Sequence, residues 1–219
     1  MPGRSILRVA FAVALISFAS RAFAAPILLR LDATEAPRKI YHAELTIPAS
    51  PGPMTLFYPK WIPGEHAPTG PITDLAGLRM TSGDQTVTWK RDSVEMFAFH
   101  ITVPPRASSV DVKLDFLSTP EPAGFTSAAS ATSELAILSW NQMILYPRGQ
   151  ASDELEVSAQ VRLPDEWNFG TALPVLRRSG NSIEFKTVSL TTLVDSPVLA
   201  GRHFRSIELS PGAPIVMKH

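Results

Sequence analysis

Two stretches of this chain alternate between apolar and polar residues with a strict period of two. Val110, Val112, Leu114 and Phe116 are separated by Asp111, Lys113 and Asp115. Leu155, Val157, Ala159, Val161 and Leu163 are interleaved with Glu156, Ser158, Gln160 and Arg162, after Glu154. In a strand, successive side chains point to opposite faces, so each segment has one buried and one wetted face. Antiparallel sheets that expose one face to water read this way. Weaker alternation marks 41–47, 97–103, 183–188 and 204–209, and 78–81 with 86–89 flanks Ser82-Gly83-Asp84-Gln85 as a hairpin. The 20 prolines recur between short apolar runs, the punctuation of an all-β protein. No long helical period occurs after the N-terminal segment. The expected fold is all-β: an antiparallel β-sandwich, or a large curved sheet packed on a smaller one.

The N-terminal segment reads differently. Arg4 and Arg8 precede an apolar run from Val9 to Ala19, and Ala22-Phe23-Ala24 comes after it. A basic start, a short apolar core and an A-x-A-like end describe a secretory signal peptide, helical and cleaved after Ala24. The run is too short for a membrane span, which needs roughly 20 residues. A mature chain from Ala25 loses Arg4, Arg8 and Arg21 and no acid, leaving 17 basic against 20 acidic residues, a net charge near −3. Such a balance predicts neither nucleic-acid nor membrane partners after cleavage, and the signal peptide predicts a periplasmic or secreted location. With no cysteine, a disulfide framework, a thiolate zinc site and a cysteine nucleophile are excluded. The fold must rest on its core, and a chain of this size can remove about 70% of its unfolded surface from water.

Two segments read as irregular. Residues 118–133 are rich in Ser, Thr, Ala and Pro and form an expected long surface loop. Residues 58–71 hold Pro59, Pro63, Pro68 and Pro71 with the steps Pro63-Gly64 and Gly70-Pro71, which predicts a structured loop. Within it, Glu65-His66 beside Trp61 is the sharpest local feature. A carboxylate next to an imidazole can bind a ligand or hold the loop by hydrogen bonds, and the second reading is favoured. Trp61 is read more readily as a core plug than as a stacking platform. The five histidines are dispersed, none in a helical context, so no metal site is expected in this chain. His42 and Glu44 share the outward face of one strand and are read as solvated. There is no G-x-S-x-G elbow, S-x-x-K or phosphate loop, and no catalytic residue is assigned.

Four words in order carry a resemblance. Tyr58-Pro59-Lys60-Trp61-Ile62-Pro63-Gly64-Glu65-His66 resembles the W-x-P-G loop of the N-terminal domain in the glycyl aminopeptidase family of zinc metallopeptidases, metallopeptidase family sixty-one. Leu138-Ser139-Trp140-Asn141-Gln142-Met143-Ile144-Leu145-Tyr146-Pro147 is similar to a later strand pair of that domain. Leu163-Pro164-Asp165-Glu166-Trp167 with Thr171-Ala172-Leu173 resembles its stretch of a proline, a tryptophan and then T-A-L, and Leu193-Val194-Asp195-Ser196-Pro197 through Gly201 resembles the D-S-P…G segment that closes the domain.

The resemblance implies an N-terminal β domain at 25–209 with a linker at 210–219, succeeded in such proteins by a thermolysin-like catalytic domain and commonly a PDZ domain. The zinc, its HExxH helix and the general base belong to that catalytic domain. No position here matches them, so this chain is expected to be inactive alone and to hold no cofactor. Its expected partners are the catalytic domain and, through the cleft it helps to wall, a peptide substrate. Trp61, Pro63 and Gly64 match the family loop, and Glu65 and His66 are candidates for polar contacts to a peptide amine or the partner domain. An interdomain face left uncovered would make the chain alone marginal or oligomeric. A free-standing secreted β-sandwich that binds peptide or carbohydrate is the alternative.

Overall fold

The computed structural model describes residues 25–62, 64–118 and 131–207. The signal segment, Pro63, most of the expected 118–133 loop and the 210–219 linker lie outside the described residues. In chain order the strands are β1 (Ile27–Asp32), β2 (Ile40–Pro48), β3 (Gly52–Phe57), β4 (Leu75–Ser82), β5 (Gln85–Thr86), β6 (Trp89–Arg91), β7 (Ala98–Val103) and β8 (Ser109–Leu117). Then come β9 (Leu135–Leu138), β10 (Tyr146–Pro147), β11 (Glu156–Arg162), β12 (Asn168–Gly170), β13 (Val175–Ser179), β14 (Ser182–Phe185), β15 (Val188–Ser189), the short helix α1 (Leu190–Val194) and β16 (Val198–Gly201). The fold is an all-β sandwich, as the alternation predicts.

The large sheet runs β13-β14-β11-β1-β2-β8-β4-β5, with β15 also on β11. A second sheet runs β10-β3-β7-β6 and a third β12-β16-β9. Buried side chains of all three sheets form one contiguous core. The strictly alternating segments lie within the large sheet. Tyr41, Ala43, Leu45 and Ile47 of β2 face Phe116, Leu114, Val112 and Val110 of β8 in register, all buried. The Tyr41 and Phe116 rings stack at 6.4 Å. On the wetted face the same register pairs His42 with Asp115, Glu44 with Lys113 and Thr46 with Asp111. Charge complements charge across the strands, which is the sheet's equivalent of a helix i, i+4 pair.

Three expectations are corrected. The sheets are not purely antiparallel, because β1 pairs with β11 in parallel, Leu29 opposite Ala159. A parallel pair needs a long connection, and here all the intervening chain supplies it. The hairpin after Ser82 is shorter than expected. Gly83 (φ +55) and Asp84 make a two-residue loop with Ser82 opposite Gln85, but Trp89 crosses to the second sheet as part of β6. The strand expected at 204–209 is absent over its described residues, 204–207. There the chain turns at Arg202 and His203, and the Phe204 ring comes to rest against Gly170.

A buried hydrogen-bond set joins the sheets. The indole Nε1 of Trp140 donates to the Ser196 carbonyl at 3.0 Å, and Thr171 Oγ1 donates to the same oxygen at 3.3 Å. The Tyr58 hydroxyl donates to the Gln142 carbonyl at 3.0 Å. Trp140 and Tyr58 are fully buried, and Trp140 meets Phe185 edge-on at 5.8 Å.

The register of β1 is testable by two neighbouring truncations. Leu29 is buried and Leu28 is half-exposed on the opposite face. Leu29→Ala is expected to cost about 2–5 kcal/mol, and Leu28→Ala less than about 1 kcal/mol, from urea midpoints at constant m. A larger loss from Leu28→Ala than from Leu29→Ala would mean the strand sits one residue out of register.

Candidate functional site

The loop from Pro59 to Pro71 is held at its base. Tyr58 N–H donates to the Phe97 carbonyl at 2.9 Å, just after the chain leaves β3. Burial pushes the Tyr58 phenol well above its ordinary range, with the nearby Asp74 carboxylate adding to it, so it stays a neutral donor to Gln142. Gly70 N–H closes the loop onto the Lys60 carbonyl at 3.0 Å. A Cβ at Gly70 would lie 1.9 Å from the Pro59 oxygen, so only glycine allows this approach.

The turn between β6 and β7 clamps the loop from the side. Lys60 Nζ pairs with Glu95 at 2.8 Å and sits 5.6 Å from the Phe97 ring centroid. The ammonium beside it holds the Glu95 carboxyl below its usual value. Asp92 Oδ1 accepts from the Val94 and Glu95 amides at 2.8 and 3.0 Å. Its other oxygen meets His100 Nε2 at 2.8 Å, and His100 Nδ1 lies 3.0 Å from Thr55 Oγ1. The His100 contact first, then the two amides, lower the Asp92 carboxyl well below the ordinary carboxylate range. Thr55 and His100 are direct neighbours across β3 and β7.

The loop and the turn that clamps it both carry exposed apolar side chains. Trp61 is 63% exposed, Val94 91% and Met96 51%. Trp61 is therefore not a core plug. The core beneath is already filled by Tyr58, Leu56 and Phe99, and the indole points outward. Gly64 takes φ +83 with open space around it, so the glycine serves the backbone angle. Glu65 N–H donates to the Ile62 carbonyl at 3.0 Å, and its carboxylate accepts from the Thr69 hydroxyl. That places Glu65 in the loop's own bonding, while the neighbouring His66 is exposed. Of the sequence candidates, Trp61, Gly64, Glu65 and His66 share this loop, and Pro63 lies outside the described residues. The Asp92–His100–Thr55 chain is absent from the sequence candidates. Its only trace there is Asp92-Ser93, an Asx-type turn signal.

A second polar group lies on the wetted face of the large sheet. His42 is not merely solvated, since its Nδ1 sits 2.7 Å from Asp115 Oδ1, with Glu35 4.0 Å from the other ring nitrogen. A groove of about 980 Å³ opens elsewhere, between the open edge of β3 and the starts of β1 and β11. Pro53 has no N–H to offer an added strand there. Among the described residues no three His, Cys, Asp or Glu side chains converge so as to hold a metal ion. These residues do not fit a catalytic zinc.

The family model described as the peptidase M61 N-terminal domain matches residues 28–202. The chain belongs to the peptidase M61 N-terminal domain family. The four sequence words fall inside that match, and three of them meet at the Ser196 carbonyl. Among solved structures, the fold is shared with an aminopeptidase N family protein from Idiomarina loihiensis, at a TM-score of 0.71 and 19% identity. The likeness covers 88% of this chain and 32% of that one, so the chain spans about a third of its neighbour's length. No curated protein matches.

Two outcomes test the loop. Gly70→Ala is expected to cost about 1–3 kcal/mol by forcing Pro59 aside, and Gly64→Ala about 1 kcal/mol through φ alone. Urea denaturation checks both, and a neutral Gly70→Ala would refute the closure. The Asp92 and Glu95 carboxyls have lowered folded values. Their contribution is therefore full above the unfolded range near about 4 and fades as pH falls below it. The Val94 and Glu95 amide shifts should titrate with a midpoint below about 3.9. A midpoint at or above that value would contradict the clamp.

Proposed function

We propose that this domain is the non-catalytic N-terminal part of an exported zinc aminopeptidase. There it scaffolds a catalytic domain and partly walls its substrate cleft. The observation that carries the reading is the family match across 28–202, whose description places the domain at the N-terminus of a peptidase. The fold shared with an aminopeptidase N family protein about three times as long supports it. Zinc is assigned to the catalytic domain on the strength of the family membership. Export rests on the basic start, short apolar core and Ala22-Phe23-Ala24.

The wall of the cleft is assigned to the rim of Trp61, Val94 and Met96, with Gly64, Glu65 and His66 beside it. An exposed aromatic on a loop tied down at both ends suits a peptide side chain, because little ordering is left to do on binding. Glu65, bound to Thr69 within the same loop, offers a carboxylate to a peptide amine.

The test is kinetic. The purified chain with added zinc is expected to release no amino acid from aminoacyl substrates. Chelator-sensitive turnover by this chain would overturn the reading. In the full peptidase polypeptide, Trp61→Ala is expected to raise KM roughly three- to tenfold with kcat little changed, the signature of lost uniform binding. An unchanged KM would remove the loop from the cleft.

A further inference from the structure

The outer faces of two sheets in this domain differ in chemistry. On the large sheet, the wetted positions at the centre are Arg30, Asp32, His42, Glu44, Lys113 and Asp115, paired by opposite charge or hydrogen bond, with Leu28 and Leu117 exposed singly toward the ends of their strands. On the β12-β16-β9 sheet, Val198, Ala200, Ala136 and Leu138 fill the core side. The opposite side carries Leu135, Ile137 and Leu199, with Leu199 opposite Ile137 and next to Gly170. Leu199 is 44% exposed and Leu135 43%, both within regular strands.

The chain leaves the described fold across this same face. A Cβ built on Gly170 would meet the Phe204 ring at 3.1 Å, so Phe204 lies on the side to which Leu199 and Ile137 point. Arg202 and His203, at the turn, flank Glu134 at 3.4 and 3.6 Å and give the apolar centre a charged border. Three residues on from Phe204, Ile207 is 61% exposed. Three residues reach at most about 10 Å, so the described chain ends within about that distance of Phe204.

We propose that this face, centred on Leu199, Leu135 and Ile137 and roofed in part by Phe204, is where the next domain of the same polypeptide docks. The occupant is an apolar patch of that domain, delivered by the chain itself. Covalent continuity makes the encounter intramolecular, at an effective concentration no separate partner matches. An apolar centre with a polar border is the anatomy of such a contact. The inference rests on the reading that a catalytic domain comes next, and it assigns docking to this sheet and not to the Trp61 rim, which remains open toward substrate.

The test uses the full peptidase polypeptide with a protease site placed between Ser210 and Pro211. After cleavage, the two halves are expected to stay together on size-exclusion chromatography. Leu199→Lys is expected to weaken that association about tenfold or more, the scale for a charge replacing a desolvated leucine. Leu199→Met is expected to retain it, and Val94→Lys, on the Trp61 rim, to leave it intact. Unchanged urea midpoints for residues 25–207 exclude misfolding. Separation by Val94→Lys and not by Leu199→Lys overturns the assigned face and leaves the proposed function standing. If no second domain is encoded, the function reading falls and the docking face with it; wild-type halves that part freely overturn the docking face alone.

Discussion

One buried carbonyl, that of Ser196, takes hydrogen bonds from the Trp140 indole and the Thr171 hydroxyl. A polar group out of water must be bonded or it costs about 1–3 kcal/mol. Burying the turn at 140–142 and the segment after α1 is therefore possible only if these parts meet in one geometry. The same turn offers the Gln142 carbonyl to Tyr58. Through two carbonyls, the third sheet, the helix and the second sheet are tied to one point. The Trp61 loop begins at the next residue after Tyr58. The position of the loop is thus set by core hydrogen bonds.

The molecule then divides its surface by chemistry. The large sheet solves its exposure to water with opposite charges in register, such as Glu44 with Lys113. The third sheet does not, and leaves leucines outward under the departing chain. The Trp61 rim is apolar too, but it sits on a clamped loop, stiffened by Lys60–Glu95 and by Asp92. A sheet face suits docking of a whole domain, and a stiff loop suits contact with a small substrate.

Much of the sandwich is legible in the sequence, because β2, β7, β8 and β11 each bury one face and wet the other. β13 is not, since Val175 to Ser179 are exposed throughout and carry no alternation. β1 alternates, but it meets β11 in parallel, Leu29 opposite Ala159, a pairing no local pattern announces. Trp61 reads as a plug because indoles are usually buried, and only the prior filling of the core by Tyr58 and Phe99 shows why this one is not. The Asp92–His100–Thr55 chain needs β3 and β7 to be side by side, which is knowledge of pairing and not of composition. The four family words are readable as words. The role of three of them, as partners of buried carbonyls, requires the fold.

The central claim is that this domain scaffolds a metal centre it does not itself hold. Anomalous scattering at the zinc edge from crystals of the full polypeptide tests that most directly. The account predicts zinc bound wholly by side chains outside residues 25–207, with Leu199 covered by the domain that holds it. Zinc bound by histidines or carboxylates from within 25–207 would contradict it.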